Sequence, residues 1–241
     1  MYRAHNAADP DRAVALKVLD EHHRNPAQLA QLQREFDFAL RLDHPHIIKV
    51  YACGPGWQAM ELVNGGTADK LTNLPDRLAA LAQIAGALDY AHERGIVHCD
   101  VKPSNILVSL AFSTRGAVLI DFGVAHAVAE DIGHRPAHVE ASLPYSAPEL
   151  LRGQAPSAAT DEYALACTAF ELITGSPPFT DTTSLGLIDR QLHSPPPKVS
   201  RKIAWLPHAF DSIMGKALAK DADNRYESCS RFISLVIRVL Q

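Results

Sequence analysis

The sequence is poor in the features that would place it outside the ordinary soluble enzymes. Its only cysteines are Cys53, Cys99, Cys167 and Cys229, and no two form a Cys-x-x-Cys pair. Neither a zinc ribbon nor a disulfide framework is read from them, and a reducing, cytoplasmic compartment is expected. There is no block of basic charge: 23 Lys and Arg are interspersed with 27 Asp and Glu, for a formal charge of -4. A nucleic-acid partner, which calls for a basic stripe, is not expected. The most apolar stretch, Leu78 to Ala91, contains Gln83 and Asp89 and falls short of the ~20 apolar residues that span a bilayer, so no membrane segment is expected. The opening MYRAHNAADPDR is polar and does not read as a signal peptide. Internal repeats and low-complexity tracts are also lacking. What is present is a chain of 241 residues, 47% hydrophobic, long enough for one large domain or two small lobes, each with a core.

The pattern of apolar residues divides the chain. Ala13 to Leu19, Ile47 to Ala52 and Trp57 to Val63 are strand-length apolar runs, the last two joined by a Gly54-Pro55-Gly56 turn into a predicted hairpin. Asn25 before Pro26 predicts a helix start, and Leu29, Leu32, Phe36 and Leu40 follow at helical spacing up to the loop Asp43-His44-Pro45. From about residue 76 the periodicity is helical. Leu78, Leu81, Ile84, Ala85, Leu88 and Ala91 share one face, with Gly95 as the stop. Asp161 to Thr174 has few charges on any face, as a helix buried inside a helical body should, and Gly175, Pro177 and Pro178 end it. Further helices are predicted at Ser184–Leu192, Ala209–Ala219 and Ser228–Leu240, with a proline-rich loop at Ser194 to Lys198.

Three short motifs carry chemistry. His98-Cys99-Asp100-Val101-Lys102-Pro103-Ser104-Asn105 lies between a helix and the strand-like Ile106 to Val108. Phosphoryl transfer to a hydroxyl needs a carboxylate to receive the proton, a cation on the γ-phosphate and an oxygen ligand for a metal. Asp100, Lys102 and Asn105 supply one each; an ordinary polar loop is the plainer alternative. Asp121-Phe122-Gly123 ends the apolar run Ala117 to Ile120, sixteen residues after Asn105. A carboxylate there can hold magnesium against nucleotide phosphates, and the glycine is expected to let the chain turn sharply. By itself the tripeptide reads as a plain turn. Val14-Ala15-Leu16-Lys17 puts a lysine in an apolar strand, which alone reads as a solvated strand-face residue. Glu35 on the following helix offers it a partner.

With these residues in place, the chain resembles the eukaryotic-like protein kinase superfamily, above all its bacterial serine/threonine branch, from about Tyr2 to the last helix. VALK is similar to the family's V-A-I-K strand, HCDVKPSN to H-R-D-x-K-x-x-N, DFG is intact, and Ala147-Pro148-Glu149 reproduces A-P-E. The resemblance implies a two-lobed α+β fold, with a small sheet-plus-helix N-lobe at residues 1–64 and a helical C-lobe at residues 65–241. ATP with Mg2+ (or Mn2+) is expected in the cleft between them. It makes Asp100 and Lys102 catalytic, Lys17 the ligand of the α and β phosphates, and Glu35 its ion-pair partner. Asn105 and Asp121 become ligands of metal and nucleotide. Met60 takes the gatekeeper position, and the backbone of Glu61 and Val63 receives adenine. Asp161 takes the place of a buried structural aspartate, and Arg225 that of the arginine that pairs with Glu149. Protein substrates with serine or threonine acceptors are implied by Lys102-Pro103-Ser104, where the family's tyrosine kinases carry alanine then arginine.

The chain departs from the family pattern in two places. The glycine-rich loop and the strand before it would precede Met1, because Tyr2-Arg3-Ala4 already resembles the strand that follows them. An incomplete N-lobe and weak nucleotide binding are therefore expected, unless an upstream segment or a regulatory partner covers the phosphates. Cys99 stands where most members have the HRD arginine, which pairs with a phosphate on the activation segment. From Val124 to Ala141 there is no Ser, Thr or Tyr, and by resemblance Ser142 fills the threonine position that touches the catalytic aspartate and lysine. Control by activation-segment phosphorylation is therefore not expected. Two other readings are a pseudokinase or nucleotide-binding scaffold, and a small-molecule kinase of the aminoglycoside or choline type. Lys102, the APE motif and Arg225 argue against the small-molecule kinase. His22-His23 and His44-Pro45-His46 are read as solvated or locally bonded rather than metal ligands, and Cys99 as a small buried thiol rather than a redox switch.

Overall fold

The computed structural model describes residues 1–6, 9–20, 25–127 and 140–241. His22-His23 and the stretch 128–139 of the activation segment lie outside the described residues. The chain is two-lobed, α+β, as the resemblance implied. The first lobe is a four-stranded antiparallel sheet in the order β1-β2-β4-β3, made of Tyr2–Asn6 (β1), Asp9–Val18 (β2), Val50–Gly54 (β3) and Trp57–Glu61 (β4). β2 starts before the predicted Ala13 because its first residues continue a hairpin with β1, which pairs Tyr2 with Leu16 and Ala4 with Val14. β3 and β4 join through Pro55-Gly56, with Gly54 opposite Trp57. Gly56 has φ +80, the conformation a Pro-Gly turn requires at its second centre.

Helix α1 (Pro26–Leu40) packs on β3 and β4. It starts where the sequence predicted: the Asn25 side chain accepts from Gln28 N at 3.0 Å, with Pro26 in the first turn. Its buried residues are Leu32, Glu35, Phe38 and Ala39. A carboxylate therefore lies on the face that helical spacing turns inward. The segment between α1 and β3 ties the sheet to the helical body, because Ile48 N donates to Leu119 O at 2.9 Å and Leu119 N to His46 O at 2.8 Å.

The body is built around α2 (Leu74–His92). It continues through two short hairpin ladders made of β5 (Ile96–Val97), β6 (Ile106–Val108), β7 (Ala117–Leu119) and β8 (His126–Ala127), in which β5 pairs with β8 and β6 with β7. Two short helices, α3 (Phe112–Arg115) and α4 (Pro148–Leu151), precede the central α5 (Ala158–Thr174). Helices α6 (Ser184–His193), α7 (His208–Ala217) and α8 (Cys229–Leu240) complete the body. Every residue of α5 from Thr160 to Phe170 is buried, which explains its low charge. Gly95 and Gly175 end α2 and α5 with φ +71 and +92. No helix among the described residues is long and apolar enough to cross a membrane.

One buried ion pair closes the body. Arg225 donates to Glu149 from Nη1 at 2.7 Å and from Nη2 at 2.8 Å, and its remaining donors reach Ala159 O and Ala219 O at 2.7 and 3.0 Å. Thr160 Oγ1 adds a bond to Glu149 at 2.9 Å. Burial pushes the Glu149 carboxyl up, but the Arg225 guanidinium outweighs it and holds the group below the ordinary glutamate value. Arg225→Met should leave Glu149 buried without a counter-charge and cost about 3–5 kcal/mol in urea unfolding. Adding Glu149→Gln should recover part of that loss, and equal stabilities for wild type and the single variant would contradict the account.

Candidate active site

The site is assembled on one carboxylate. Asp161, in the first turn of α5 and fully buried, accepts His98 N and Cys99 N at 2.7 Å each, and meets His92 Nε2 at 2.7 Å. Burial raises its pKa, but the hydrogen bonds from the His92 ring and from His98 N outweigh that and lower it. The turn it holds is strained: Cys99 has φ +66 without being glycine, a conformation costing on the order of 1–3 kcal/mol. The Cys99 thiol is half-buried rather than buried, 3.7 Å from Val97 O.

The turn delivers the three predicted groups together. Asp100 Oδ2 accepts Lys102 Nζ at 2.8 Å and Asn105 Nδ2 at 2.9 Å, and Nδ2 also donates to Asp100 O at 2.8 Å. With its amide nitrogen committed to Asp100, Asn105 has its oxygen left over as an acceptor. Lys102 Nζ also reaches Ser142 Oγ at 2.7 Å, which ties the end of the activation segment to the turn. His98 fixes the neighbouring strand end. Its Nδ1 accepts Asp100 N at 3.2 Å, so Nε2 carries the hydrogen and donates to Ile120 O at 3.0 Å. Its ring meets Phe122 edge-on at 4.7 Å.

Ile120 precedes Asp121, whose φ is +67. The sharp turn of the DFG segment is therefore made at the aspartate, not at Gly123 as the sequence suggested. Gly123 serves a close approach instead: a Cβ there would lie 3.1 Å from Asp121 Oδ1, 3.3 Å from Gln31 Nε2 and 3.6 Å from Glu35 Oε2. Lys17 Nζ donates to Glu35 Oε2 at 2.6 Å and lies 3.8 Å from Asp121 Oδ1. Burial works against the Lys17 ammonium, but the Glu35 and Asp121 carboxylates outweigh it and raise its pKa. The Asp121 side chain is 43% exposed, so it is open to a ligand. The donors left over are carboxylate and amide oxygens, a set that suits a hard cation such as Mg2+.

The remaining predicted residues line β4 and the segment after it. Met60 is buried opposite Ala15 and Val50. Glu61 pairs through its side chain with Arg115 and donates from its backbone N to Lys49 O at 2.8 Å, and Val63 is half-buried. His44 and His46 are locally bonded, as expected: His46 N donates to His44 Nδ1 at 3.2 Å, and His46 Nδ1 contacts Ala117 O at 2.8 Å. Sequence reasoning missed His92 and Gln191. Gln191, on α6 and buried, donates from Nε2 to Leu143 O and Pro144 O at 3.0 and 2.7 Å, and accepts Tyr163 OH at 2.5 Å. A polar residue in an amphipathic helix reads as solvent-facing, so only its three partners reveal it.

Comparison with known proteins points to one family. The protein kinase domain model matches residues 1–234. The serine/threonine-protein kinase PknJ of Mycobacterium tuberculosis is 38% identical over 241 residues, covering 94% of this chain and 41% of that protein. PknF of the same species is 37% identical over 243 residues, covering 92% and 49%. A crystal structure of the PknI kinase domain from Mycobacterium tuberculosis, a cysteine-to-alanine mutant, superposes with a TM-score of 0.72 at 32% identity, covering 100% of this chain and 90% of that one. The chain thus spans less than half the length of PknJ and of PknF.

Because Asp161 accepts both N–H groups of the turn, Asp161→Ala should remove these bonds from His98 N and Cys99 N at about 1–3 kcal/mol each. Amide exchange at residues 98–100 should accelerate far more than at α8. Unchanged protection of the turn would overturn its dependence on Asp161.

Proposed function

The chain belongs to the protein kinase domain family, and on that premise we propose that it is a serine/threonine protein kinase, moving the γ-phosphoryl group of ATP onto hydroxyls of protein substrates. The observation that carries this reading is one continuous polar network. Glu35, Lys17 and Asp121 are linked in sequence, Ile120 N donates to Asn105 O at 2.9 Å, and Asn105 and Lys102 both bond Asp100. In this reading the nucleotide would bind between an N-lobe of residues 1–64 and a C-lobe of residues 65–241, with Met60 and the backbone of Glu61 and Val63 receiving its base. Oxygens of Asp121 and Asn105 would hold magnesium, which would supply neutralisation of phosphate charge.

Each protein group has one task. Asp100 accepts the proton of the acceptor hydroxyl as the oxygen–phosphorus bond forms and the β–γ bridge breaks. Lys102, already beside Asp100, balances charge on the transferred group. Lys17 binds the α and β phosphates and is aimed by Glu35, whose buried oxygen it reaches at 2.6 Å. Positioning and electrostatics, rather than covalent catalysis, supply the acceleration. The names of the relatives support serine and threonine as acceptors, as does Lys102-Pro103-Ser104.

The regulation we propose does not use activation-segment phosphorylation. Cys99 has no guanidinium to receive a phosphate, and the hydroxyls next to APE are engaged. Ser142 Oγ accepts Lys102, Ser146 Oγ donates to Ser142 O at 3.1 Å, and Tyr145 OH donates to Glu171 Oε2 at 2.5 Å. Packing, with Gln191 on Leu143 O and Pro144 O, holds the segment instead.

With a generic protein acceptor, magnesium-dependent turnover of ATP should yield phosphoserine or phosphothreonine on acid hydrolysis. Asp100→Asn should lower kcat by about 10²- to 10⁴-fold while keeping the wild-type unfolding transition. A well-folded wild type without turnover, or an Asp100→Asn variant as fast as wild type, would sink the assignment. Separately, phosphatase treatment of the purified protein should leave the rate within error of the untreated sample. A large loss, restored with phosphate on Ser142 or Ser146, would overturn the regulatory reading.

A further inference from the structure

Beside His92, α2 meets the start of α8. Asp89 and His92, three residues apart on α2, face Cys229 there, and a carboxylate oxygen, a ring nitrogen and Sγ all lie within 4.8 Å of one another. The three line a cavity of about 330 Å³ together with Glu93, Glu162 and Glu227. Asp89 accepts Cys229 N and Ser230 N at 2.9 Å each, which caps α8 and fixes the carboxylate beside the thiol. His92 is fixed as well: Nε2 gives its hydrogen to Asp161, so Nδ1 is the nitrogen with a lone pair for a cation.

A histidine that donates one ring N–H to a buried carboxylate is the arrangement that orients imidazole for metal binding. We propose that Asp89, His92 and Cys229 form a second cation site, selective for a zinc-class divalent ion, with water from the cavity as the fourth ligand. Mixed nitrogen, sulfur and oxygen donors favour zinc over magnesium, so this site and the oxygen-only active site take different ions. Binding expels the Cys229 thiol proton to solvent, and the thiolate, imidazole and carboxylate then close on the ion with no change of oxidation state. Glu93 and Glu227 at the cavity add a field that favours a cation, whereas burial raises the Glu162 carboxyl to about 8 and leaves it largely neutral at pH 7. Through His92 the ion sits one hydrogen bond from the carboxylate that holds His98 and Cys99.

The test is a cobalt(II) titration of the untagged, metal-stripped chain in excess magnesium. One equivalent should bind with a thiolate-to-cobalt charge-transfer band, which stoichiometric zinc removes. Cys229→Ala should abolish the band and weaken binding at least about tenfold, whereas a variant with Cys53→Ala and Cys99→Ala should retain both. No band in the wild type, a band surviving Cys229→Ala, or one lost in the Cys53 and Cys99 variant would each overturn the site. X-ray absorption of the wild-type cobalt form gives a reading that needs no variant. A shell with one sulfur and an imidazole supports the proposal, and a shell of oxygens alone refutes it.

Discussion

The carboxylate of Asp161 is the constraint on which the catalytic half of the molecule depends. It is wholly buried and meets three hydrogen-bonding groups, two of them backbone N–H groups of a turn that carries a left-handed cysteine. A strained turn persists only where its surroundings over-determine it. Here a rigid, buried helix does so, and the strain sets the direction of Asp100. Lys102 and Asn105 then need only reach the carboxylate that the turn presents, and the site is precise because its base is anchored in the core.

A second level of order follows from His98. Its two ring nitrogens bridge Asp100 N and Ile120 O, so the catalytic turn and the strand end bearing Asp121 are registered by one side chain. Phe122 packs on the same ring. Across the cleft, Lys17 is held between Glu35 and Asp121, linking α1 and β2 to that strand end. The site is thus a chain of polar contacts, the longest of them Lys17 to Asp121 at 3.8 Å, and Gly123 leaves room for α1 by carrying no Cβ against Gln31 and Glu35.

The activation segment ends in a set of polar contacts to the helical body. Where the family has an arginine, Cys99 offers only a thiol directed at Val97 O. The end of the segment is nevertheless tied down by Lys102 on Ser142, by Gln191 on two consecutive carbonyls and by the Glu149–Arg225 pair behind it. These bonds are largely buried, where a satisfied polar network rigidifies more than it would in water.

Much of this was legible in the chain itself. The apolar runs and the Asn25-Pro26 and Gly54-Pro55-Gly56 signals located the sheet, α1 and the hairpin, because caps and turns are local physics. HCDVKPSN, DFG and VALK pointed to side chains that the fold brings together, because phosphoryl transfer restricts which groups can serve. The unread part is non-local. The turn lies at Asp121 rather than at Gly123, where α1 comes close instead. Gln191 looked solvent-facing until Tyr163, Leu143 and Pro144 surrounded it. Asp89 and His92 lie more than a hundred residues before Cys229 and meet it only because α8 packs on α2. Local backbone preferences and chemical necessity write themselves into sequence. Which polar atoms share a buried space is decided only when the helices close on one another.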